Sequence, residues 1–120
     1  LLECRNCTQD YDAMSEFTRI SVADANAMIE KGSVTIADIR DEDSFKAGHM
    51  NGAQHIDNTN TQDFIDSSDL DQPLLVVCYH GHSSQAASVF LADRGFDEVY
   101  SLDGGFTEWA ETYPQKCVAG

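Results

Sequence analysis

The stretch LLVVCYHGHSSQAASVFLADRG, residues 74–95, limits the fold more than any other part of the chain. LLVVCY is a short, continuous apolar run, the signature of a strand buried on both faces. A polar, glycine-containing segment, YHGHSS, interrupts it. From Ser83 the periodicity becomes helical, with Ala87, Phe90 and Leu91 on one face and Gly95 as a stop. A strand buried on both faces and followed at once by a helix suits a largely parallel sheet, whose crossover helices cover it.

The rest of the chain repeats this alternation. EFTRI reads as a short strand or extended lead-in. In SVADANAMIEKG, Ser21 and Asp24 have N-cap and N3 spacing, and Gly32 supplies a stop. Val22, Ala25, Met28 and Ile29 share one helical face, which makes Met28 a core side chain. VTIADI is a central strand, DEDSFKAG a short helix, HMNGAQHI a segment ending in a short strand, and TQDFIDSSDL a short helix or turn before Pro73. DEVYSLDGG gives a final strand and tight turn, and FTEWAETYP a short helix ending near Pro114. The expected fold class is α/β, three layers deep, with a central mainly parallel sheet flanked by helices. These patterns do not give the strand order.

A chain of 120 residues suits one compact domain. Met14, in AMSEFTRI, has the look of a natural initiator. The expected organisation is therefore a flexible or non-native leader over residues 1–13 and a single domain over residues 14–120. With 21 acidic against 7 basic residues, the formal charge is −14, and no Lys/Arg cluster exists to neutralise phosphates. Nucleic acid and anionic lipid are disfavoured as partners. A small anion responds mostly to local backbone dipoles and is not excluded. No apolar stretch approaches the roughly 20 residues that span a bilayer, and the expectation is a soluble, cytoplasmic protein.

The cysteines are Cys4, Cys7, Cys78 and Cys117. Their uneven spacing makes a poor disulfide framework. CRNC is at most half of a zinc site, and a redox CxxC is expected between a strand and a helix rather than in a polar leader. Cys78 differs from all three. It stands at the carboxyl end of its strand, where open α/β sheets bind ligands, and the loop after it runs into a helix N-terminus. Unpaired amides and the helix dipole there favour both a thiolate and an incoming anion. Gly81 lets the loop turn its amides toward the sulfur. Ser83 and Ser84 can cap the helix or donate hydroxyl hydrogen bonds. His80 and His82 offer donors or partial positive charge, but neither is an evident general base.

Plainer readings stand beside this one. A cysteine ending an apolar strand is often only a small buried residue, and His80 and His82 suit an ordinary exposed loop. A metal held by Cys78, His80 and His82 is conceivable, although so tight a loop better surrounds the sulfur with amides. Cysteine phosphatases use C-x5-R, whose arginine clamps the oxyanion. Here Ser84 occupies that sixth position. A thiol protease would need a paired histidine and an orienting partner, for which no specific signal exists.

CYHGHSSQAA, preceded by LLVV and followed by YSLDGGFTEW, resembles the rhodanese domain family, and within it the single-domain thiosulfate sulfurtransferases of bacterial glycerol regulons. IADIRDEDSFKAGHMNGAQHI is similar to that family's early strand, D-x-R turn and G-H-x-x-G-A segment. The similarity runs over residues 17–114. The resemblance implies a three-layer rhodanese-like fold and a sulfur relay, with Cys78 as the persulfide-forming nucleophile. Tyr79, His80, Gly81, His82, Ser83 and Ser84 would form the substrate-binding loop. Thiosulfate would be the donor, with cyanide or dithiols such as thioredoxin-like proteins as acceptors. Neither a cofactor nor a metal is implied. Two-domain relatives carry cationic loop residues where this chain has histidines, which shifts the anion-binding load onto backbone groups. Asp38 and Arg40 match the D-x-R turn, with site support as the functional reading and a fold-stabilising turn or ion pair as the preferred one. His49 is read as structural. Asp103, Gly104 and Gly105 resemble a tight turn before the last helix, and Phe106 and Trp109 suit packing better than recognition. Two alternatives stay open: a sulfurtransferase with another donor, and a rhodanese-like sulfur-carrier or protein-binding module.

Overall fold

The computed structural model describes residues 17–120. The expected leader, Met14 and the Cys4/Cys7 pair lie outside the described residues. The elements are β1 (Thr18–Ile20), α1 (Val22–Lys31), β2 (Thr35–Asp38), α2 (Glu42–Ala47), β3 (His49–Met50), β4 (Gln54–His55), α3 (Thr61–Ser67), β5 (Leu74–Val77), α4 (Ser83–Asp93), β6 (Val99–Leu102), α5 (Gly105–Thr112), a 3-10 turn (Pro114–Lys116) and β7 (Cys117–Val118).

Five strands form one sheet in the order β1-β6-β5-β2-β4, every neighbouring pair parallel. β5 lies at its centre because all four of its side chains are fully buried. The period-2 alternation of a strand divides them between two cores. Leu74 and Val76 join Ala37, Phe64, Leu91, Phe96 and Val99 beneath α3 and α4. Leu75 and Val77 join Val22, Ala25, Ile36, Leu102 and Trp109 beneath α1 and α5. The sheet is thus the middle of three layers, as the alternating pattern requires. Each fully buried Leu or Val contributes about 1.5–3 kcal/mol of transfer free energy, which favours this strand over any other as the centre.

Side chains cap the first two helices. The Ser21 hydroxyl accepts the Asp24 amide at 3.1 Å, and Asp41 accepts the Ser44 amide at 3.0 Å, capping α1 and α2. In α1, Val22 and Ala25 are buried while Met28 and Ile29 are half-buried, so Met28 is less of a core residue than its periodicity predicts. β3 and β7 make a separate antiparallel pair, with Met50 opposite Cys117. Two-residue strands carry no readable period.

Register decides what meets at the top of the sheet. Ala37 pairs with Val76 and Val76 with Ser101, so the carboxyl ends of β2, β5 and β6 finish side by side. The turns bearing Arg40, Cys78 and Asp103 therefore leave the sheet along one edge. No helix among the described residues is long and apolar enough to cross a membrane.

Candidate active site

Cys78 directly follows β5 and is 4% exposed. Its sulfur accepts the Gly81 amide at 3.1 Å and the Ser84 amide at 3.3 Å, and the Ser84 hydroxyl lies 3.3 Å away. Gly81 has φ of +91°, and a Cβ there would meet the Gly104 nitrogen and the Leu102 carbonyl at 2.9 Å. Only glycine allows both the turn and the contact.

The expected hydroxyl cap of α4 is absent, because the sulfur itself takes that place. His82 occupies the N-cap position with no side-chain cap, and Ser83 is exposed. The Ser84 amide, left without an intrahelical partner at a helix start, ends on Sγ instead. Burial is the largest influence on the thiol and raises its pKa. The Ser84 hydroxyl and the amides of Ser84, Gly81 and His80 together outweigh it, and the pKa lies below the ordinary value.

The last helix holds the loop from behind. The Phe106 and Thr107 amides, in the first turn of α5, donate to the carbonyls of Cys78 at 2.8 Å and Tyr79 at 3.1 Å. Gly105 has φ of +61°, and a Cβ there would come within 2.6 Å of the Cys78 carbonyl and closer still to that of Tyr79. The DGG turn foreseen in the sequence thus acts as the anchor of the nucleophile loop.

Asp38 and Arg40 form a buried, bidentate pair, with Nε 3.0 Å from Oδ1 and Nη2 2.8 Å from Oδ2. Arg40 Nη2 also donates to the Gly48 carbonyl at 2.7 Å. These bonds fit the fold-stabilising reading, and neither side chain bonds to the sulfur. The guanidinium nevertheless reaches the loop, lying 4.1 Å from the Phe106 ring centre and 5.7 Å from that of Tyr79. The Tyr79 hydroxyl donates to Asp41 and lies 2.5 Å from Ser44 Oγ, so the ring is tied to α2. His49 Nδ1 lies 2.7 Å from the Phe45 carbonyl, and its ring stacks on Phe45 at 3.8 Å, a packing role. Trp109 is core.

Of the loop residues singled out in the sequence, Cys78, Gly81 and Ser84 meet at the sulfur, while Tyr79, His80, His82 and Ser83 form an exposed rim. Among the described residues, no three His, Cys, Asp or Glu side chains converge to hold a metal ion. Sequence reasoning missed Asp41 and Ser44 as the fastening for Tyr79. It also missed Ser101, whose Oγ lies 2.7 Å from Ser84 Oγ. A D-x-x-S cap motif signals the first two, but only strand register could reveal the third.

This arrangement offers a buried, acidified sulfur beneath converging amides, suited to nucleophilic attack on a small anion. A rhodanese-like domain model matches residues 21–112. A relative from Pseudomonas fluorescens (strain SBW25), the thiosulfate sulfurtransferase GlpE, is 53% identical over 107 residues, covering 89% of this chain and 97% of its own length. The protein of the same name from Stutzerimonas stutzeri (strain A1501) is 55% identical over 101 residues, covering 84% and 92%. Among solved structures, a rhodanese-related protein from Thermoplasma volcanium superposes with a TM-score of 0.68 at 26% identity, covering 80% of this chain and 93% of the other. With a family model spanning most of its length and relatives more than half identical, the chain belongs to the rhodanese-like domain family.

Proposed function

We propose that the protein is a thiosulfate sulfurtransferase that works through a Cys78 persulfide. The observation that carries this reading is the sulfur's position: two amides and a hydroxyl converge on Sγ where a strand ends and a helix begins. The thiolate attacks the outer sulfur of thiosulfate. The S–S bond of the donor breaks, sulfite leaves with the bonding pair, and a negatively charged persulfide remains on Cys78. Cyanide then removes the outer sulfur as thiocyanate. A dithiol acceptor of the thioredoxin type instead becomes a disulfide and releases the sulfur as sulfide, and in both cases the Cys78 thiolate returns. Such acceptors, and a free nucleophilic thiol, suit a reducing cytoplasm.

The loop divides the work. Gly81 and Ser84 hold the attacking sulfur, while Tyr79, His80, His82 and Ser83 frame the approach of the donor. Phosphate ester chemistry is poorly served, because Ser84 stands where an oxyanion-clamping arginine would be, and its hydroxyl is spent on the sulfur. Asp38 and Arg40 support the site indirectly, by holding the rings of Phe106 and Tyr79.

Sulfite release on mixing reduced protein with thiosulfate, read together with the mass of the Cys78 peptide, tests the proposal. One sulfite per chain and one added sulfur atom on Cys78 are expected, with both lost in Cys78→Ser. Undiminished turnover in C78S would overturn it. Preferential turnover of mercaptopyruvate or another persulfide would reassign the donor. Partner binding retained by C78S, without turnover in the parent protein, would make the chain a binding module.

A further inference from the structure

Ser101 is a polar side chain where the strand pattern calls for an apolar one. In VYSL its neighbour on the same face, Val99, joins the core beneath α3 and α4, yet Ser101 is 0% exposed and carries a hydroxyl. Burying that group without a partner is unfavourable. Its partner is Ser84, also 0% exposed, at 2.7 Å, and Ser84 in turn lies 3.3 Å from the Cys78 sulfur. Three buried groups therefore form one chain, Ser101 to Ser84 to Cys78. The Ser88 hydroxyl bonds back to the Ser84 carbonyl and stays outside it.

Each hydroxyl donates one proton, so the two contacts of the chain take two protons. With a neutral thiol three protons share the two contacts, so one of them, on Sγ, Ser84 or Ser101, is left without a place in the chain. With a thiolate, Ser101 donates to Ser84 and Ser84 to the sulfur, and every buried proton has a destination. We infer that Ser101 is a positioning residue for the nucleophile, turning the Ser84 proton onto the Cys78 sulfur and so selecting the thiolate over the thiol. Its consequence for turnover rests on the sulfur-relay reading; its effect on the thiol does not.

Other charged and titratable groups surround the loop without bonding to the sulfur. They are Tyr79, His80 and His82 in the loop itself, Asp38 and Arg40 after β2, Asp41 at the start of α2, Asp103 after β6 and Glu108 on α5. Their fields are common to wild type and to Ser101 variants, so a difference between the two reports the hydroxyl chain.

The test is the pH dependence of Cys78 alkylation by iodoacetamide, read by mass on the Cys78 peptide of reduced protein with no donor present. Ser101→Ala is expected to raise the midpoint by about half to one pH unit, the scale of one hydrogen bond between neutral groups. Alkylation at neutral pH falls several-fold while the alkaline plateau is retained. The isosteric variants S101T and S101V, differing by the hydroxyl alone, repeat the comparison at equal bulk, and S101T is expected to stay near wild type. In a Ser84→Ala background, S101A should add no further shift. Identical midpoints for S101T and S101V, or an equal S101A shift with and without Ser84, would overturn the inference. A shift in a protein that releases no sulfite from thiosulfate would uphold the positioning role and defeat the sulfurtransferase reading alone.

Discussion

Three donors converge on the exposed carboxylate of Asp41: the Tyr79 hydroxyl, which has the largest effect, and the amide and hydroxyl of Ser44. They hold its pKa down to about 2 from the ordinary 3.8. A depressed carboxylate contributes fully above its unfolded value and loses its contribution as pH falls through the folded one. The tie between Tyr79 and α2 is therefore complete above about pH 4 and fades toward pH 2. An NMR titration of the Asp41 side chain should give a midpoint near 2 that moves toward 3.8 in Tyr79→Phe. A wild-type midpoint already at the ordinary value would mean that the Tyr79 ring is not held this way. Cys78 follows the same rule for an acid with a lowered pKa: sulfur transfer should rise with pH and level off below the ordinary thiol value.

Between elements, the contact that matters most is the N-terminus of α5 against the nucleophile loop. Gly105→Ala places a methyl group in a backbone conformation unfavourable to L-residues and drives it into the Cys78 and Tyr79 carbonyls. The left-handed conformation alone costs about 1–2 kcal/mol. With the loss of a buried amide bond the total should approach about 3 kcal/mol in denaturant unfolding. Sulfite release should fall at least about tenfold, because small misplacements of reacting groups are costly. Near-wild-type stability and turnover in G105A would show that the loop is held by other means. Much of this level was legible in the sequence. The apolar run of β5, the change of period at Ser83 and the DGG turn each announce a local conformation, and Cys78 follows from their junction. What remained hidden depends on register. Nothing in VYSLDGG says that Ser101 will lie beside Val76 and beneath Ser84, and the two-residue pair β3–β7 is too short to have a pattern.

At the scale of the whole molecule, a formal charge of −14 opposes a dianionic donor, whatever the local amides do at short range. The Debye length contracts from about 30 Å at 0.01 M salt to about 8 Å at 0.15 M, which hides distant carboxylates but not the dipoles next to the sulfur. Added sodium chloride over that range should therefore raise kcat/KM for thiosulfate. A fall would show that a local positive field governs capture. The all-parallel sheet has a further consequence for the order in which the protein matures. Ser101 lies 17 positions after Ser84, and the amides of α5 that hold the Cys78 carbonyl come later still. During synthesis the cysteine leaves the ribosome before the β6 and α5 groups that complete its surroundings. The Ser84 hydroxyl gains its buried partner only when β6 inserts beside β5, so the site around the sulfur is completed last, when the fold closes.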